Sequence, residues 1–156
     1  MKKFKASALG GTFDILHTGH FELLRGAAEV SEKMIIGLSS DEFAAQRGKS
    51  PINDYEIRRS NLEAQIISRF PGVKYEIVKL DSLFGPGIFS EEIEALVTSS
   101  ETSNGISELN RLRREKDLKE VKHVVIPLIL SKDGQKVSTT RIKKNEIDPE
   151  GNLLRK

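Results

Sequence analysis

Three histidines occur in this 156-residue chain, and two of them, His17 and His20, stand three residues apart with Gly19 between them. Two imidazoles at the start of a helix offer several N–H donors to oxygens whose negative charge grows during phosphoryl or nucleotidyl transfer. Such chemistry needs no carboxylate base when the nucleophile is already an anion. Two plainer readings stand beside it. One histidine caps a helix while the other packs, or His-x-x-His joins Asp14 in a metal site. The pair straddles a loop–helix junction and lacks a full ligand set, so no protein-held metal is expected.

The surrounding elements decide what the histidines face. Phe4 to Leu9 is an apolar run that reads as a short buried strand. It ends in Gly10-Gly11, where the absence of a side chain lets backbone approach a ligand. After Gly19 the spacing turns helical, with Phe21, Leu24 and Ala28 on one stripe widened by Leu23 and Ala27. A strand, a glycine turn and a helix N-terminus form a phosphate-binding geometry, because unpaired N–H groups and the helix dipole point at the ligand.

The remaining chain continues as alternating strands and helices. Lys33–Leu38 is a second strand, so the sheet is expected to be parallel with a right-handed crossover. Ser40 or Asp41 caps a short helix ending at Gln46. The loop Arg47–Asn53 carries Arg47 and Lys49 toward the carboxyl ends of the strands, where open α/β sheets bind ligands. Asp54–Phe70 is a helix stopped by Pro71-Gly72, with Arg58 and Arg59 in its first two turns. Those arginines gain nothing from the helix dipole, which points either to a ligand or partner or to a solvated face paired with Glu56 or Glu63. Val73–Leu80 and Ala95–Thr98 are further strands. Ser99–Gly105 is a hydroxyl-rich turn opening a helix over Ile106–Leu118, which is expected to bury Ile106, Leu109 and Leu112 and to show Arg111, Arg113 and Arg114 on its surface. Val121–Leu130 is apolar enough for a central parallel strand, with a bend at Pro127. Ser138 reads as an N-cap with Thr139, Thr140 and Arg141 in the following turn.

Composition narrows the classes. There is no cysteine, so no disulfide framework or thiolate chemistry is expected. The formal net charge of +2 is too small to argue for nucleic acid. No run approaches the ~20 apolar residues of a membrane span. Basic Met1–Lys5 is followed by too short an apolar run for a signal peptide, and the expected location is the cytoplasm. Nothing in the sequence marks an oligomeric state.

Gly10-Gly11-Thr12-Phe13-Asp14 with His17-Thr18-Gly19-His20 resembles the T/HxGH signature of the nucleotidyltransferase superfamily. Val137-Ser-Thr-Thr-Arg-Ile142 resembles its second motif, commonly I-S-S-T-x-x-R, with the arginine displaced to a position beside Thr140. Thr98–Gly105 followed by Leu109-Asn110-x-x-Arg113 is similar to the archaeal and eukaryotic type of phosphopantetheine adenylyltransferase. The resemblance implies one Rossmann-like, doubly wound α/β domain over residues 1–156 with a five-stranded parallel sheet. It implies transfer of AMP from ATP to 4′-phosphopantetheine, with Mg²⁺ arriving on the nucleotide. His20, His17 and Lys49 would be catalytic. Gly10, Gly11, Thr12, Phe13, Gly19, Glu101, Thr102, Ser138, Thr139, Thr140 and Arg141 would bind nucleotide or phosphate. Thr12, Lys49, Asn110 and Arg113 would reach the acceptor. A cytidylyltransferase for phosphorylated alcohols, an FAD synthetase and a non-catalytic nucleotide sensor stay open as alternatives.

Overall fold

The computed structural model describes residues 3–82, 85, 90–99, 105–127, 132–135 and 137–154, with Thr140 described by its backbone alone. Strand β1 (Phe4–Gly11) leads through the motif loop into helix α1 (Thr18–Val30). The chain passes without a linker into β2 (Ser31–Ser39), then α2 (Asp41–Gln46), α3 (Tyr55–Arg69) and β3 (Lys74–Leu80). Strand β4 (Ile93–Ser99), α4 (Ile106–Glu115), β5 (Lys122–Ile126) and the single-turn α5 (Thr139–Lys143) complete it. Expected caps appear where side-chain chemistry allows them. Ser40 Oγ accepts from Phe43 N, and an Asp54 carboxylate oxygen accepts from Ile57 N.

All described strand pairings are parallel, in the order β3-β2-β1-β4-β5. The strand order reverses between β1 and β4, which opens a crevice at the carboxyl ends of those strands. One face of the sheet packs Leu9, Met34, Ile36, Leu38 and Val97 against Leu24, Ala27 and Ala28 of α1 and Tyr55, Leu62 and Ile66 of α3. The other packs Ala6, Ala8, Ile35 and Ile93 against Leu109 of α4 and Val121. Apolar cover on both faces is what makes the strands read as continuous hydrophobic runs. The fold is thus the expected doubly wound α/β domain with a five-stranded parallel sheet.

Two expectations are corrected. Strand β5 is an edge strand, not a central one, and Val125 is exposed. Pro127 follows it, as suits an edge where no ladder partner needs its missing N–H. Arg113 is buried, not displayed on the surface of α4. At Gly26 on α1 a Cβ would stand 2.3 Å from Ile126 Cδ1, so the helix packs closely on β5 and a methyl group there would require the Ile126 side chain to shift.

Candidate active site

The loop after β1 is built on Phe13. Its backbone takes the left-handed conformation (φ +49°), and its ring is buried. A Cβ on Gly11 would stand 3.2 Å from that ring, so glycine lets Phe13 pack closely beneath the strand end. The Phe13 ring then lies 5.0 Å from the His20 ring. Phe13 therefore packs its buried ring beneath His20.

His17 and His20 cap α1 reciprocally. His17 Nδ1 accepts from Gly19 N at 3.1 Å, and His20 Nδ1 accepts from His17 N at 3.3 Å. The rings stack with centroids 3.8 Å apart. Because both Nδ1 atoms accept, each neutral ring carries its proton on Nε2. Burial pushes His17 down to about 4, and burial together with the charge of His17 pushes His20 down to about 3. Both rings are neutral near pH 7, leaving two Nε2–H donors that need not lose a proton to act. Gly19 serves this stack, since a Cβ there would lie 2.9 Å from His17 Cε1.

The expected display of unpaired helix N–H groups is not what the structure shows. His17 N and Gly19 N are taken by the imidazoles, and Thr18 N donates to Pro149 O at 3.0 Å. Donation toward a ligand therefore falls mainly to the rings. The Thr18 hydroxyl is buried without a partner.

Two groups missed as structural parts hold the loop in place. Arg58 is fully buried and donates to Thr12 O (2.8 Å), Ser39 O (2.9 Å), Asn53 O (3.0 Å) and the Asp41 carboxylate (2.7 Å). It is neither on a solvated face nor free for a ligand. Asp14 accepts from Ile52 N at 2.8 Å, Asn53 N at 3.1 Å and Asn53 Nδ2 at 3.2 Å, and pairs with Lys143 Nζ at 2.9 Å. Burial alone would raise its pKa, but the bonds from Ile52, Lys143 and Asn53 outweigh it and hold the carboxyl below its ordinary value. With its oxygens so engaged, Asp14 is not a metal ligand in waiting. Among the described residues no cluster of three His, Cys, Asp or Glu could hold a metal ion.

The second motif comes to the first. Thr139 Oγ1 donates to Ile15 O at 3.1 Å, and Val137 O lies 4.0 Å from the point where a Gly19 Cβ would stand. Ser138 Oγ accepts from Arg141 N at 3.2 Å, the expected cap, and keeps its own proton to donate. Arg141 is drawn to Asp133 and to Glu146. Lys49 lies on the exposed loop after α2, anchored by its backbone N–H to Ala44 O.

Asn110 and Arg113 do not join this group. Asn110 bonds Val121 N and O, just before β5. Arg113 donates to Lys119 O, Ser90 O and Ile93 O. Both sit at the amino ends of β4 and β5, the edge of the sheet opposite the histidines, and not beside the pair with which they were expected to act. The bonds named here all go to the backbone. Glu101 and Thr102, and the side chain of Thr140, lie outside the described residues.

Comparisons with known proteins agree with this arrangement. Residues 8–145 match the cytidylyltransferase-like family. A phosphopantetheine adenylyltransferase from Methanothermobacter thermautotrophicus is 37% identical over 99% of this chain and 93% of its own. One from Pyrococcus horikoshii is 41% identical over 99% and 98%. Among solved structures, an Archaeoglobus fulgidus protein described as of unknown function superposes with a TM-score of 0.68 at 31% identity, covering 81% of this chain and 89% of that one. A lipopolysaccharide core biosynthesis protein from Thermoplasma volcanium shares the fold at a TM-score of 0.64 and 22% identity, covering 78% and 95%. The chain therefore belongs to the cytidylyltransferase-like family and groups within it with the phosphopantetheine adenylyltransferases.

Proposed function

We propose that this protein transfers the adenylyl group of ATP to 4′-phosphopantetheine, giving dephospho-coenzyme A and pyrophosphate. The observation that carries the reading is the neutral, stacked histidine pair at the crevice between β1 and β4, with an Nε2–H on each ring. Near-full-length similarity to phosphopantetheine adenylyltransferases supports the choice of acceptor.

In this reaction a phosphate oxygen of the acceptor attacks the α-phosphorus of ATP in line. The bond from that phosphorus to the bridging oxygen breaks, and pyrophosphate leaves with the electron pair. The nucleophile is already an anion, so the protein contributes position and charge stabilisation. His20 donates to the α-phosphate as its charge develops, and His17 with the Thr12 region holds the polyphosphate. A neutral donor is suited to this role because it stays protonated throughout. Gly11 and Gly19 let the Phe13 and His17 rings pack closely, which sets the shape of the loop that meets the phosphates, and Gly10 lies near the end of β1 beside Gly37. Ser138 and Thr139 serve the outer phosphates, and Lys49 offsets the charge of the reacting groups. Arg141 acts on the phosphates only if it leaves Asp133 and Glu146. The residues at the histidines do not fit a protein-held divalent ion, so Mg²⁺ enters chelated by the triphosphate.

The test is pyrophosphate release from Mg²⁺-ATP with and without 4′-phosphopantetheine. Release that requires the acceptor is expected. Release with CTP and a phosphorylated alcohol, or with ATP and FMN, in place of that pair would overturn the assignment.

A further inference from the structure

We propose that Lys143 is a positioning residue which latches the second motif onto the first, working through Asp14. This rests on the reading that ATP binds between those two segments.

Helix α5 is one turn long, too short to hold its own shape without tertiary contacts. Its contacts come from one face, because Thr139 and Lys143 are four residues apart. Thr139 Oγ1 donates to Ile15 O at 3.1 Å. Lys143 Nζ lies 2.9 Å from Asp14 Oδ2 and donates to Ser50 O at 2.9 Å. Asp14, immediately before Ile15, also takes the N–H groups of Ile52 and Asn53. One ammonium thus joins three segments, the loop after β1, the loop before α3, and α5. The Asp14 side chain is only 3% exposed and that of Lys143 is 27% exposed. The pair is shielded enough for its geometry to matter, unlike an open surface ion pair.

The arrangement also explains why two cations lie so close on α5 with different duties. Arg141 turns toward Asp133 and Glu146, back along its own segment. Lys143 turns instead to Asp14 of the first motif and to Ser50. The spacing between the histidines and Ser138 is thereby fixed before nucleotide arrives, which lowers the ordering cost of binding.

The test is calorimetric binding of Mg²⁺-ATP, with no acceptor present. Lys143→Met keeps the stem and removes the charge, and its dissociation constant is expected to rise about tenfold, the equivalent of ~1.4 kcal/mol. Lys143→Arg should restore binding to within about twofold, because it can still span Asp14 and Ser50. Asp14→Asn should weaken binding to a similar degree. The double variant should bind no worse than the weaker single one, since both changes open the same latch. Additive losses would show that Lys143 touches the phosphates directly and overturn the inference. Equal binding by Lys143→Met and the unmodified chain would overturn it as well. An unmodified chain that binds no ATP would instead overturn the functional reading, and this inference with it.

Discussion

Arg58 and Arg113 are both fully buried, one at each edge of the sheet. Arg58 lies under the carboxyl edge, where its donors gather the carbonyls of Thr12, Ser39 and Asn53 and the Asp41 carboxylate. Arg113 lies at the amino edge and gathers the carbonyls of Ser90, Ile93 and Lys119. Burial lowers the pKa of Arg113. Residue type, burial and hydrogen-bond style are nearly the same. What differs is what the held segments do next. Those around Arg58 run into the motif loop and the Lys49 loop, whereas those around Arg113 are the approaches to β4 and β5. A buried arginine is thus no mark of a ligand site by itself, and its position along the sheet decides whether losing it costs chemistry or stability.

That contrast can be broken at either edge. His20→Ala, at the carboxyl edge, should lower turnover ~10²–10³-fold, by analogy with removal of one preorganised oxyanion donor. Steady-state pyrophosphate release reads it, and unchanged turnover would remove the histidine from the chemistry. Arg113→Met, at the amino edge, should cost about 3 kcal/mol in urea denaturation, since three carbonyls lose their donor. Turnover per folded molecule should stay as it was. A loss of turnover in fully folded Arg113→Met would show that the two edges are not functionally separate. Arg58→Lys keeps the charge and loses the fork, so it should show both effects in smaller measure, roughly tenfold in turnover and about 1–2 kcal/mol in stability.

The smallest effect is expected in the pH profile of turnover. With His17 and His20 held down at about 4 and about 3, neither ring titrates between pH 5 and 8. No inflection from them should appear in kcat/KM over that span, and a fall in activity above pH 6.5 would show instead that a protonated imidazole is required. The same shifts act on stability in acid. The unfolded chain takes up protons on these rings near pH 6.5 while the folded chain does not. Their contribution is therefore fully present above pH 6.5 and is lost as pH falls toward about 4 for His17 and about 3 for His20, at a slope of at most about 1.4 kcal/mol per pH unit for each ring. Denaturation midpoints across that range measure it.

Much of the carboxyl edge was legible because its chemistry sits in consecutive residues. Gly10 to His20 encode strand, turn and helix start in one stretch, and Ser40 and Asp54 carry their capping oxygens in plain view. Arg58 was not legible in the same way. Three of its partners are backbone carbonyls, which every residue has and no sequence pattern marks. The burial of Arg113 did leave a trace, since Leu109 and Arg113 are four apart and share a helix face, but charge argued for the surface. The edge placement of β5 was written in Pro127, against the pull of a continuous apolar run. The satisfaction of the α1 N–H groups depends on Pro149, more than a hundred residues away, and on ring orientation.

Gly26 gives α1 a mechanical character. The helix lies close against the Ile126 side chain at this point, which a side chain at position 26 would have to displace. From that contact to His17 runs roughly 13 Å of rigid helix, at 1.5 Å per residue. A wedge at position 26 would tilt a lever whose far end carries both imidazoles, and misplacement by about 1 Å at a reacting centre can cost ~10²-fold in rate. The aim of the histidines is thus set in part by an absent side chain farther along their helix.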